Sequence, residues 1–312
     1  MLVRQVADTG GMREDAVTTI GFIGLGLMGQ GFTKRLAARG FKVVGYDIDG
    51  AKLAQAGRHG VIGAAAPAEV ARASDIVCLS VMSATGGHAV EEVVLGPRGV
   101  VEAPGTDKVL VDLSTTTIEE TRHCAEELAR KTGMAWVDAP VSGGPGAAEA
   151  GQLAIMAGGD APVVDRVRPV MEHVASRFTH MGPLGAGQAT KMINQVIVLT
   201  NFCVLAEALR LGERCGVDVA RVPEALSTGY AGSLLLNDLF PRMIARDFAP
   251  RGFVRQILKD LDMVQELAKE RNAPTPMTSL ATSLFRILSA RGESELDGTA
   301  VLKLYLDGAD TR

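Results

Sequence analysis

Hydrophobic and polar positions change their rhythm once along this 312-residue chain. Up to about residue 181, short apolar runs alternate with amphipathic stretches. Strands are predicted near 19–25, 42–47, 74–81, 108–113, 134–138, 152–157 and 177–181, with helices between them. After Gly187 the strand signals stop. Helical segments follow at 188–215, 218–227, 233–246, 253–271, 276–291 and 297–308. Helix after helix without strands predicts a separate all-α layer, so the chain divides into 18–187 and 188–312. The 188–215 helix, about 40 Å long at 1.5 Å per residue, joins the two and carries its first turns into the cleft between them.

Three segments of this pattern carry candidate chemistry. The apolar run Ile20-Gly21-Phe22-Ile23 leads into Gly24-Leu25-Gly26-Leu27-Met28-Gly29 and then a helical pattern to Ala38. Strand, tight glycine turn and helix N-terminus are the parts of a dinucleotide pyrophosphate site. A second apolar strand, Lys42 to Tyr46, ends in Asp47. That acid stands at about the 20-residue spacing expected for a carboxylate on the ribose 2′-OH. No arginine adjoins Asp47, which favours NAD over NADP. Farther on, Ala135-Trp136-Val137 leads into Asp138-Ala139-Pro140-Val141-Ser142-Gly143-Gly144. Ser142, Gly143 and Gly144 can turn successive N–H groups and a hydroxyl into one concavity, a nest for a carboxylate.

In the third segment, Gly185-Ala186-Gly187-Gln188-Ala189-Thr190-Lys191, the helix begins with Lys191, Asn194 and Gln195 at i, i+3 and i+4. One face carries all three. The residues that follow, Val196 to Leu199 and Phe202 to Ala206, are apolar on nearly every side, which predicts a buried helix. Polar groups entering it need partners or a ligand. Lys191 is therefore the candidate acid/base. Asp112-Leu113-Ser114-Thr115 ends another predicted strand, and Ser114 to Thr117 offer caps for the next helix.

With Lys259-Asp260-Leu261, these motifs occur in the order in which the β-hydroxyacid dehydrogenase family carries them, and the chain resembles that family from about Thr18 to Leu306. The resemblance implies an α/β Rossmann-type N-terminal domain and an all-α C-terminal domain joined by a long interdomain helix. It further implies that Thr115 lies at the nicotinamide and substrate, and that Lys259 reaches the cofactor with Asp260 positioning it. In motif the chain is most similar to the tartronate semialdehyde reductases. Two positions depart from the family pattern. Gln195 stands where 3-hydroxyisobutyrate dehydrogenases usually have a second asparagine, and Thr115 where the reductases often have serine.

Composition narrows the classes. A hydrophobic content of 47% suffices for one large or two ordinary cores. A formal charge of −4 offers no basic footprint for nucleic acid. The apolar stretch from Ile193 to Ala206 is interrupted by polar residues and is too short to span a bilayer. Cys78, Cys124, Cys203 and Cys215 show no paired spacing and read as buried free thiols of a reducing, cytoplasmic compartment. The five scattered histidines give no metal-ligand spacing. Ser142 lacks the Gly-x-Ser-x-Gly elbow of a serine hydrolase. Residues 1–17 have no apolar core, which excludes a secretory signal; they read as a mobile leader, with Met12 an alternative start.

These readings converge on hydride transfer between a nicotinamide cofactor, NAD or NADP, and a small hydroxyacid or semialdehyde. Lys191 carries the proton, Asn194 and Gln195 orient the substrate oxygen, and Ser142–Gly144 hold the carboxylate. The expected substrate pair is D-glycerate and tartronate semialdehyde, with 3-hydroxyisobutyrate or L-threonate as alternatives. A homodimer or homotetramer is expected from the apolar bulk of the long helix. A reading from another class, a non-catalytic reader module on the same fold, is opposed by the retained Lys191. An imine reductase would replace that lysine, and a 6-phosphogluconate dehydrogenase would place a histidine at Asn194.

Overall fold

The computed structural model describes residues 18–82 and 88–306, so the leader expected at the N-terminus lies outside the described residues. Nine strands form one sheet: β1 (Thr19–Ile23), β2 (Lys42–Tyr46), β3 (Ile62–Gly63), β4 (Ile76–Leu79), β5 (Val109–Asp112), β6 (Ala135–Asp138), β7 (Val141–Ser142), β8 (Leu153–Gly158) and β9 (Ala175–Gly182). The order β3-β2-β1-β4-β5-β6 is parallel throughout, the Rossmann arrangement expected from the alternating pattern. Beyond β6, β8 runs antiparallel to both β6 and β7, and β9 pairs parallel with β8.

Every residue of β4 and β5 is buried, because helices cover both faces of the sheet. Side-chain alternation feeds two separate cores. Phe22 and Cys78 point into one with Phe32 and Leu36, while Ile23, Val77 and Leu79 point into the other with Leu110 and Leu128. The covering helices are α1 (Leu27–Ala38), α2 (Gly50–Gly57), α3 (Pro67–Ala73), α4 (Ala89–Leu95), α5 (Ile118–Thr132), α6 (Gly144–Ala150) and α7 (Ala161–Met171). The ends of α5 follow from its sequence. Thr117 caps it by accepting from the Glu120 N–H at 3.1 Å, two glutamates occupy the first turn, and Gly133 ends it at φ +76°.

The helical part comprises α8 (Ala186–Arg214), α9 (Val222–Leu226), α10 (Leu234–Ile244), α11 (Val254–Glu270) and α12 (Pro276–Ala290), closed by a 3-10 segment, Gly298–Tyr305. Its core gathers Leu199, Leu209, Phe240, Leu261, Phe285 and Val301 around α8.

Several expectations need correction. β3 and β7 are two residues each, too short for a period to be read, and the last segment is 3-10 rather than α. Cys78, Cys124 and Cys203 are buried, but Cys215 is exposed at the end of α8. Nor is α8 buried all round: Ile193, Ile197 and Leu211 are 62%, 60% and 66% exposed, on one side of the helix. By length and composition this 29-residue helix could cross a membrane, contrary to the shorter span counted between its polar interruptions. Of its interruptions Asn194, Gln195, Thr200 and Asn201, only Gln195 is buried, and all four have hydrogen-bond partners within the fold.

Candidate active site

The first glycine loop connects β1 to α1. Gly24 sits at φ +92°, and a methyl group there would overlap the Ser80 carbonyl oxygen; one on Gly29 would overlap the Gly24 carbonyl oxygen. Around Gly26 nothing stands within 4 Å of where a side chain would begin, and α1 starts there with no side-chain cap. An open, uncapped helix N-terminus fits the pyrophosphate of a dinucleotide. Leu25 is fully buried, so only its backbone can face a ligand, whereas Leu27 is exposed and Met28 packs partly on the core. Asp47 accepts from the Leu25 N–H at 2.6 Å and the Asp49 N–H at 2.8 Å, which ties the acid to the loop itself. Lys52 lies 3.9 Å from both Asp47 and Asp49. Sequence reasoning looked for a neighbouring arginine and missed this lysine one helical turn on. The Asp49-x-x-Lys52 spacing was the available signal.

The second loop, between β7 and α6, meets α8. Gly143 is at φ +134° and Gly144 at φ +75°. A side chain on Gly143 would press on Ala147 at 2.8 Å and Leu153 at 3.2 Å, so packing requires that glycine. At Gly144 nothing lies within 4 Å. Lys191 is 8% exposed and its Nζ donates to the Val141 carbonyl at 2.8 Å, one residue before Ser142. Burial pulls its pKa below the ordinary lysine value; Asp260 opposes that shift and Lys259 reinforces it.

Asn194, Gln195, Asp260, Lys259 and Thr115 form one hydrogen-bonded chain from α8 through α11 to the loop after β5. Asn194 Nδ2 donates to Gln195 Oε1 at 2.8 Å, and Gln195 Nε2 donates to Asp260 Oδ2 at 2.5 Å. Asp260 Oδ1 pairs with Lys259 at 3.1 Å, and Lys259 Nζ donates to the Thr115 carbonyl at 3.0 Å. Of the threonine-rich stretch only Thr117 caps a helix; Ser114 Oγ instead accepts from the Val81 N–H at 3.1 Å.

Beneath these groups lies a buried polar hub that sequence reasoning assigned no role. Asp138, at the end of β6, accepts from the Gly185 and Gln188 N–H groups at 2.8 and 2.9 Å and so caps α8 from outside. Gln188 donates to the Ser114 carbonyl at 2.9 Å. Asp112, the register partner of Asp138, is fully buried with Oδ2 unbonded, and burial pushes its pKa up to about 7. The first turn of α8, and with it Lys191, is thereby held against the ends of β5 and β6.

The fold thus carries a glycine turn open at a helix N-terminus and a desolvated lysine beside a second glycine loop. Residues 19–182 match the NAD binding domain of 6-phosphogluconate dehydrogenase. Residues 185–305 match the NAD-binding domain of NADP-dependent 3-hydroxyisobutyrate dehydrogenase. The 2-(hydroxymethyl)glutarate dehydrogenase of Eubacterium barkeri is 37% identical over 92% of this chain and 94% of its own. The 2-hydroxy-3-oxopropionate reductase of Escherichia coli is 35% identical over 91% and 96%. A crystal structure of 3-hydroxyisobutyrate dehydrogenase from Salmonella typhimurium superimposes with a TM-score of 0.83 at 28% identity, covering 92% of this chain and 99% of the other. The chain belongs to the β-hydroxyacid dehydrogenase family, and is an NAD(P)-dependent oxidoreductase of that family.

Proposed function

We propose that this enzyme moves a hydride between nicotinamide and a small β-hydroxyacid, with D-glycerate and tartronate semialdehyde as the substrate pair. One observation carries the site assignment. Lys191 is desolvated and bonded to Val141, so the acid/base and the Ser142–Gly144 anion nest share one corner of the cleft. The bound cofactor supplies or accepts the hydride. In reduction an alkoxide forms and needs a proton with a positive charge nearby; the Lys191 ammonium supplies both. In oxidation its neutral amine accepts the hydroxyl proton, and burial favours that neutral form. Asn194 orients the reacting oxygen with Gln195 assisting through it, and Ser142, Gly143 and Gly144 hold the carboxylate. The Gly24–Gly29 turn holds the pyrophosphate, Asp47 the ribose, and Thr115, Lys259 and Asp260 border the nicotinamide.

On this reading residues 18–187 bind the cofactor and 188–312 complete the substrate pocket. NAD is preferred through Asp47, although Lys52 softens the repulsion a 2′-phosphate would meet. The exposed Ile193, Ile197 and Leu211 stripe supports a homodimer or homotetramer, and the unpaired cysteines a cytoplasmic enzyme. Relatives of nearly equal identity act on different acids, so substrate choice needs rates. Initial velocities with NAD and NADP against D-glycerate, 3-hydroxyisobutyrate, L-threonate, 4-hydroxybutyrate and 2-(hydroxymethyl)glutarate provide the test. Highest kcat/KM on D-glycerate with NAD is expected. Preference for another acid refutes the substrate, and no turnover with any of them favours a non-catalytic reader module.

A further inference from the structure

We infer that Gln195 is a positioning residue that sets the hydrogen-bonding polarity of Asn194 by spanning from it to Asp260 on α11. The inference rests on the reading of Lys191 and Asn194 as the machinery of hydride transfer. An amide can turn either its oxygen or its nitrogen toward a neighbour, and its partners decide which. Here the decision starts at Lys259, 3.1 Å from Asp260 Oδ1. A carboxylate whose one oxygen accepts from an ammonium offers its other oxygen as an acceptor. The Gln195 atom facing Asp260 must therefore be Nε2. That leaves Oε1 as the atom met by Asn194, which in turn must offer Nδ2. Asn194 Oδ1 then points away from the pair. The polarity of Asn194 is thus imposed from the other side of the cleft, and the residue presents an acceptor on the helix face it shares with Lys191. An acceptor there suits a hydroxyl or ammonium proton, the species that moves in this chemistry.

Side-chain length makes the relay depend on a glutamine at 195. An asparagine at 195 would be shorter by one methylene, about 1.5 Å, and would not reach both Asn194 and Asp260. Gln195 is buried, so water does not readily substitute for the lost bond.

Two variants and their combination test this: Gln195→Asn, Asp260→Glu, and the double substitution, in which the missing methylene returns on the opposite partner. For Gln195→Asn, kcat should fall about tenfold, with substrate KM, NADH affinity by fluorescence titration and Tm little changed. The double variant should recover at least half of the lost turnover. A coupling of fivefold or more between the two sites is then expected, since they act through one bond. Wild-type kcat in Gln195→Asn, or losses that simply multiply in the double variant, overturn the relay. So does a fall in Tm that tracks the fall in kcat, which marks Gln195 as structural only. Lys191→Ala, assayed in parallel, separates this inference from the reading beneath it. If Lys191→Ala is inactive while Gln195→Asn is fully active, only the relay fails; if Lys191→Ala turns over normally, the reading of the site itself fails.

Discussion

Both glycine loops leave a strand of the same sheet, turn at positive φ and enter a helix, yet they are held in different ways. In the first, packing against the Ser80 and Gly24 carbonyls requires Gly24 and Gly29, and Gly26 borders open space. In the second, Ala147 and Leu153 require Gly143, and Gly144 borders open space. Two packed glycines therefore fix the shape of the first loop and one fixes the second, and each loop has one glycine that leaves room. The difference lies in what approaches. A carboxylate, Asp47, braces the first loop through Leu25 N–H, whereas a lysine, Lys191, reaches the second through the Val141 carbonyl. The first loop is the fixed platform of a long helix and suits a cofactor common to many enzymes. The second opens a seven-residue helix and takes its reactive group from another part of the chain.

The largest expected effect separates the loops through Lys191. Lys191→Ala removes the proton carrier and the charge at the second loop, and general acid–base catalysis is typically worth about 10²–10⁴-fold. Lys191→Arg keeps the charge but does not readily release a proton. Both variants should lose at least about a hundredfold in kcat while NADH titration is unchanged. The wild-type rate of alcohol oxidation should rise with pH through an ionisation below that of free lysine, because burial favours the neutral amine. Near-normal turnover in Lys191→Arg sinks proton transfer by this residue.

A smaller effect should distinguish the two open glycines. Gly26→Val intrudes on the space at the first loop, where nothing stands within 4 Å of the new Cβ, and NADH affinity should drop about tenfold or more as close backbone approach is lost. Gly144→Ala intrudes on the second loop, at a cost in backbone strain from φ +75°. It should raise the KM for hydroxyacid about tenfold and leave NADH affinity intact. Gly143, the central residue of the nest as read from sequence, is the poorer probe, because its replacement disturbs packing first. Exchanged phenotypes, with Gly144→Ala losing NADH and Gly26→Val losing substrate, would reverse the assignment of the loops.

Such distinctions mark how far the sequence could be read. Apolar runs and glycine spacing were enough for the parallel sheet, the turn to all-helix after Gly187 and the cluster of Lys191, Asn194 and Gln195, because each depends on local period. What stayed hidden depends on pairs distant in the chain. The bond from Gln195 to Asp260, the capping of α8 by Asp138 and the unbonded Oδ2 of Asp112 all need the tertiary fold. The exposed side of α8 was read as buried because apolarity alone does not tell a core from a surface.

Asp47 probes the bracing of the first loop and should produce only a few-fold change. Asp47→Asn keeps an acceptor for Leu25 N–H but loses the charge that the proposed reading turns toward the ribose hydroxyl and any 2′-phosphate. With Lys52 already beside the site, the ratio of kcat/KM for NAD over NADP should fall about fivefold, from charge-assisted to ordinary hydrogen bonding. A ratio that is unchanged leaves Asp47 as a brace for the loop alone.

The smallest effect concerns the strand between the loops. Asp112 ends β5, whose neighbours β4 and β6 lead to Ser80 and to the second loop, and its pKa is pushed to about 7 chiefly by burial, with Asp138 and Glu120 adding to the rise. An acid whose folded pKa exceeds its unfolded value of 3.8 holds more protons in the folded state between the two. Its contribution to stability is therefore fully present below the unfolded value and is lost as pH rises through about 7. Asp112→Asn removes the charge and retains an acceptor for the Ser114 N–H. At pH ~8 the variant should be more stable than wild type by about 1 kcal/mol, or roughly 2–4 °C in Tm, and the gap should close toward pH ~5. Thermal melts of both proteins across that range measure it. A gap that does not change with pH would mean that Asp112 is ionised throughout, and that an unseen partner satisfies Oδ2 at the foot of the interdomain helix.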